Sequence, residues 1–66
     1  MKLFKDATGK SYVTVSQAFS KDNAVILANH HFKAKKDKLE VFQGFENGDD
    51  LELRVKHGNV WVVTKK

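Results

Sequence analysis

Apolar and polar positions change period along this chain, and the changes mark its elements. In SYVTV (residues 11–15), Val13 and Val15 alternate with Tyr12 and Thr14, the period-2 pattern of a strand with one buried face. KLFK lies before it, across DATGK with Gly9, so the two predict a β-hairpin. From residue 20 the spacing becomes helical. Ser20 is a good N-cap, and Asp22 falls in the first turn, where the helix dipole favours an anion. Positions 24, 25, 27, 28, 31 and 32 then trace one helical face, and Lys33, Lys35 and Lys36 crowd its expected last turn. This spacing predicts a helix over residues 21–36.

Three further strands are expected at LEVFQGF (39–45), LELRV (51–55) and VWVVT (60–64). ENGDD reads as a turn through its Asn-Gly pair. In HGN, Gly58-Asn59 suits a two-residue type II′ turn. That turn would set His57 opposite Val60, Lys56 opposite Trp61, Val55 opposite Val62 and Arg54 opposite Val63. The order is β-β-α-β-β-β, which predicts one α+β domain over residues 1–66, an antiparallel sheet with the helix packed across one face. The expected inner layer is Val13, Val15, Ala24, Val25, Leu27, Ala28, His31 or Phe32, Val41, Leu53, Val55 and Val62.

Composition narrows the function classes. At 66 residues the chain holds one small core. It has no cysteine, so disulfides and thiolate chemistry are excluded, which fits a reducing compartment. Its longest apolar run, AVILA, falls far below the ~20 residues of a membrane span, and MKLFKDATGK lacks the apolar stretch of a signal peptide. A cytoplasmic location without membrane contact is expected. Twelve Lys or Arg oppose eight Asp or Glu, a net charge of +4, which favours anionic partners.

The residues offer little to catalysis. There is no partnered nucleophile, and Asp49-Asp50 reads as turn solvation. ATGKS shares the letters G-K-S with a phosphate-binding loop but lacks its upstream glycine. Neither enzyme activity nor a cofactor is expected. Nor is a metal: His30 and His31 diverge by about 100° on a helix and cannot share an ion.

Two surfaces remain. One is the lysine-rich helix end, with His30, Lys33, Lys35, Lys36 and Lys38, a solvated grip for anions. The other is the sheet face away from the helix, expected to be open to solvent. If Val13 and Val41 point inward, Tyr12 and Phe42 point outward, and the last hairpin would add Arg54, Lys56 and Trp61. Aromatic rings interleaved with cations are the kind of surface that stacks bases and grips phosphates. The competing expectation covers Trp61 with the Lys56 and Arg54 stems and folds Phe42 under residues 16–20 with Phe19.

The succession of YVTVSQAFSKDNAVILANHHF and LELRVKHGNVWVV, a strand running through a short capped segment into an alanine-containing helix and on to closing strands with a tryptophan hairpin, resembles a group of small phage-encoded inhibitors. That group includes type I anti-CRISPR proteins and phage inhibitors of host RNA polymerase. The resemblance is one of layout and size, and it implies a non-catalytic protein that blocks a larger host machine by occupying its surface. The expected partner is accordingly a host protein or ribonucleoprotein complex in the host cytoplasm, with direct binding of DNA or RNA as the alternative. The chain itself is expected to be a monomer or a weak homodimer, since an open sheet face or edge strand could pair with a second copy.

Overall fold

The computed structural model describes residues 1–16 and 20–66. Five antiparallel strands and one helix form the predicted α+β domain: β1 (Lys2–Lys5), β2 (Ser11–Val15), α1 (Lys21–Phe32), a 3-10 turn at Lys36–Lys38, β3 (Leu39–Asn47), β4 (Asp50–Leu53) and β5 (Val60–Lys65). Each element follows from its residues. The Asp6 carboxylate accepts the backbone N–H groups of Thr8 and Lys10 at 2.9 and 3.0 Å and so closes the β1–β2 hairpin. Ser20 caps α1, its hydroxyl oxygen accepting the Asn23 N–H at 3.2 Å.

The helix stops four residues short of expectation. Lys33 turns into the left-handed region at φ 49 and donates its N–H to the Asn29 carbonyl. The turn brings Ala34 and Leu39 onto the core. Lys33, Lys35 and Lys36 therefore lie beyond the helix rather than in its last turn. Its buried face is also narrower than the sequence pattern: Ala24, Val25 and Ala28 are buried and Phe32 half-buried, while Leu27 and His31 are exposed. Small side chains at 24 and 28 let the helix lie close against β2, β3 and β5.

The sheet order is β1-β2-β5-β3-β4. This overturns the expected final hairpin. β4 pairs with β3, whereas β5 inserts between β2 and β3 in the centre of the sheet. Residues 54–59 are thus a crossover, not a tight turn. Val55 donates to the Gln43 carbonyl at 3.1 Å and Asn59 to the next carbonyl, Gly44, at 3.0 Å. Consecutive strand carbonyls point to opposite sides, so the chain passes from one side of β3 to the other within four residues. It does so at a glycine pair. A Cβ on Gly58 would collide with the Gly44 backbone, and a Cβ on Gly44 would come within 2.5 Å of Val62 Cγ2 and 3.0 Å of the Glu52 carbonyl.

Register then assigns the faces. Val13, Val41 and Val63 align across β2, β3 and β5, and Val15 aligns with Trp61 and Gln43. With Ala24, Val25, Ala28 and Leu39, these valines form the core beneath the helix, with Trp61 packed at its margin. Val62, expected inside, lies on the other face, as does Leu53, which pairs with Gly44. Val55 belongs to the crossover and is half-buried. The other face is not open either: Thr14, Val60, Val62 and Thr64 are all buried there. The sheet curls into a half-barrel whose hollow side fills itself. Lys2 Nζ reaches across to donate to the Gly48 carbonyl at 2.8 Å, and Thr14 donates to Glu46 Oε1 at 2.8 Å. Each fully buried valine contributes about 1.5–3 kcal/mol relative to exposure, so β5, with Val62 and Val63 on opposite faces, anchors both layers.

Two predictions follow from backbone geometry. Gly58→Ala should destabilise the fold by about 1–3 kcal/mol, because the added methyl has only main chain to displace; urea unfolding at unchanged m-value measures it. Lys33→Gly should stabilise by roughly 1 kcal/mol, because glycine adopts the left-handed region without steric cost. A drop in midpoint for that variant would contradict the cap assignment.

Candidate binding surface

The proposed aromatic and basic sheet face is assembled only in part. Tyr12, Phe42 and Arg54 do meet in the hollow of the sheet. The Arg54 guanidinium stacks 4.3 Å above the Phe42 ring and donates to Glu40 Oε1 at 3.1 Å. Glu40 also lies 3.8 Å from Lys10 Nζ, which sits 5.8 Å from the Tyr12 ring. The Tyr12 hydroxyl donates to Asp6 Oδ2 at 3.1 Å. The cations here are thus satisfied by carboxylates of the same chain, and the rings are half-buried. Trp61 is not among them: its position opposite Val15 and Gln43 puts it on the helix side. Its neighbour in the sequence, Val62, is the one that faces the hollow. Lys56 is exposed in the crossover. The expectation that Phe19 covers Phe42 lies outside the described residues.

The lysine cluster is exposed throughout, at Lys33, Lys35, Lys36 and Lys38, and so is His30. Lys36 pairs with Asp22 at 3.1 Å. Folding adds cations that the linear sequence keeps apart. The Lys66 N–H donates to the Lys38 carbonyl at 3.0 Å, tying the last lysines to the 3-10 turn. Leu39 pairs with Lys65, and Lys5 with Ser11; continuing the β2–β5 register sets Ser11 beside Lys65, where Thr64 bonds the Ser11 carbonyl at 2.7 Å. Lys5, Lys38, Lys65 and Lys66 therefore share one end of the sheet. Among the described residues, Lys5, Lys33, Lys35, Lys38, Lys65 and Lys66 form no ion pair. The opposite end of β3 carries Glu46, Asp49, Asp50 and Glu52 around its turn. The molecule has a basic and an acidic pole.

Beside the basic pole lies a groove of about 480 Å³ between α1 and the β1–β2 hairpin, lined by Leu3, Lys5, Lys10, His31, Phe32 and Lys65 among others. Leu3 is 53% exposed. Sequence reasoning named none of Leu3, Lys5, Lys10 or Lys65 as a site residue. Leu3 and Lys5 could have been found from the register of the β1–β2 hairpin, where they lie opposite Val13 and Ser11, whereas Lys65 needed the register of β5 against β2, which the assumed terminal hairpin concealed. Among the described residues, no group of three or more His, Asp or Glu side chains is gathered to hold a metal. No helix is long and apolar enough to cross a membrane.

The hairpin network perturbs two titrations. Hydrogen bonding from the Thr8 hydroxyl, aided by the Lys10 and Thr8 N–H groups, holds the Asp6 carboxyl below its ordinary value. Partial burial, then the Asp6 hydrogen bond and charge, pushes the Tyr12 phenol above its ordinary value. A depressed carboxyl adds stability that is present above the ordinary carboxylate range and lost as pH falls through the folded value. A raised phenol adds stability that is lost as pH rises past the ordinary phenol value. Absorbance titration of the single tyrosine should show Asp6→Asn moving its transition down towards, but not to, the ordinary phenol value, since burial remains. An unmoved transition would dissolve the pair.

No protein-family model matches this chain, and neither a curated protein nor a solved structure matches it.

Proposed function

We propose that this chain is a non-catalytic binding module that docks through its basic pole on an acidic surface of a larger macromolecular complex. We place it among phage or mobile-element proteins that inhibit or modulate a host complex in the cytoplasm. The observation that carries the docking surface is the set of exposed lysines at one end of the sheet, Lys5, Lys38, Lys65 and Lys66, none of which forms an ion pair among the described residues. Such a surface accelerates encounter with an anionic partner. The host-directed part of the reading rests on the resemblance of the sequence to small phage inhibitors in size and in its strand–helix–strand order, without the tryptophan hairpin, which the fold does not form.

Direct nucleic-acid binding is the second reading, because the same lysines could neutralise phosphates. It is weakened by the dispersal of the stacking surface: Trp61 and Tyr12 lie on opposite faces, and Arg54 is held by Glu40.

The test is capture of partners by tagged protein from host lysate, with and without nuclease. Capture should survive nuclease and fall by about tenfold or more in Lys35→Glu/Lys38→Glu/Lys66→Glu, equivalent to about 1.4 kcal/mol, with the melting temperature unchanged. Capture abolished by nuclease, together with oligonucleotide binding whose logarithm falls linearly with log salt, would transfer the assignment to nucleic acid.

A further inference from the structure

Resting on that docking reading, we propose that the free edge of β1 receives an extended acidic segment of a partner protein, added as a strand whose helix-side side chains reach the groove between α1 and the β1–β2 hairpin. The segment reads acidic–apolar–apolar–acidic.

Three observations converge. Among the described residues β1 pairs only with β2 and forms the edge of the sheet, so one side of its backbone lacks strand partners there. Strand addition satisfies such an edge through main-chain hydrogen bonds and takes its specificity from alternate side chains. The groove on the helix side of the sheet, which β1 shares with β2 and β5, combines exposed Leu3 and half-buried Phe32 with Lys5, Lys10, His31 and Lys65. Lys10 is shared with Glu40 at 3.8 Å, whereas Lys5 and Lys65 form no ion pair among the described residues.

The sequence of β1 then dictates the complement. In KLFK, Leu3 and Lys5 face the groove, while Lys2 and Phe4 face the hollow of the sheet. An antiparallel strand paired residue for residue needs carboxylates opposite Lys2 and Lys5 and apolar side chains opposite Leu3 and Phe4. Lys2 already holds Gly48 and approaches Asp49, so the carboxylate opposite Lys5 carries the stricter requirement.

Charge also selects among occupants. Two copies of β1 pairing in antiparallel fashion would set Lys2 against Lys5 twice, a like-charge arrangement that opposes self-association by this edge. A nucleic acid could neutralise the lysines, but its phosphates offer no donors for the exposed β1 carbonyls. An acidic peptide strand satisfies cations, edge and apolar floor together.

The experiment is selection of a randomised peptide library on the immobilised full chain, followed by titration of the enriched peptides in solution. Enriched sequences should carry the acidic–apolar–apolar–acidic pattern. Their affinity should fall at least about tenfold on Leu3→Glu and on methylation of alternate peptide nitrogens, and Lys5→Glu should switch selection to a basic residue at the facing position. Leu3 and Lys5 are both exposed, so neither variant disturbs the core. The proposal is overturned by no enrichment, by enriched peptides that bind Leu3→Glu and Lys5→Glu undiminished, by self-association on sedimentation that Leu3→Glu abolishes, or by an oligonucleotide that occupies the groove in preference to every peptide. If lysate capture survives Leu3→Glu and Lys5→Glu but is lost in the Lys35, Lys38 and Lys66 reversal, the groove proposal fails while basic-pole docking stands. If the wild-type chain captures no protein, both fail.

Discussion

The whole topology depends on one close approach between two stretches of main chain. Residues 54–59 cross β3 where Gly44 meets Gly58, and no side chain fits between them. Everything placed by β5 follows from that crossing. It separates β4 from β5, frees β5 to enter the sheet centre, and sets Val63 under the helix and Val62 in the hollow. Gln43 and Asn59 stabilise the passage. The Gln43 side chain accepts the Gly58 N–H at 3.2 Å, while Asn59 exchanges hydrogen bonds with the Glu46 backbone at 2.7 and 2.9 Å. Polar groups that a short loop would leave to water are thereby tied to β3.

Much of the fold was legible because local chemistry decides it. SYVTV alternates and forms a strand; Ser20 caps a helix where it was expected; DATGK closes a hairpin through Asp6. What misled was Gly58-Asn59. A Gly-Asn pair between two apolar runs signals a tight turn through its backbone freedom, and the same freedom equally serves a close crossing of chains. The two uses differ only in a neighbour far along the sequence, here Gly44. A clue did exist nearby. VWVVT does not alternate, and an unbroken apolar run is what a strand buried on both faces looks like. Glycine within LEVFQGF was a second, since a glycine inside a strand often marks the approach of another backbone.

The site was less legible than the fold for the same reason. Lys33, Lys35, Lys36 and Lys38 stand together in the sequence and remain together in space. Lys5 and Lys65 lie sixty residues apart, and only strand order makes them neighbours. The aromatic face suffered the converse error: Trp61 joined Tyr12 and Phe42 only under a register that the crossing forbids. Moving it to the helix side leaves Arg54 to cover Phe42 and turns a presumed contact surface into a self-satisfied one. The charge that remains available is displaced to the ends of the strands.

The central place of β5 also governs when this protein can fold during its synthesis. Among the described residues β2 and β3 have no ladder of their own and are joined through Val60–Lys65. Until those residues leave the ribosome, the nascent chain can form the β1–β2 hairpin, the β3–β4 hairpin and a marginal helix, three pieces without a shared core. The apolar faces of Val13, Val15 and Val41 stay uncovered for the whole of that interval. Acquisition of the native sheet therefore waits for Val60–Lys65, and the lysines at both ends of β1 keep its exposed edge charged until then.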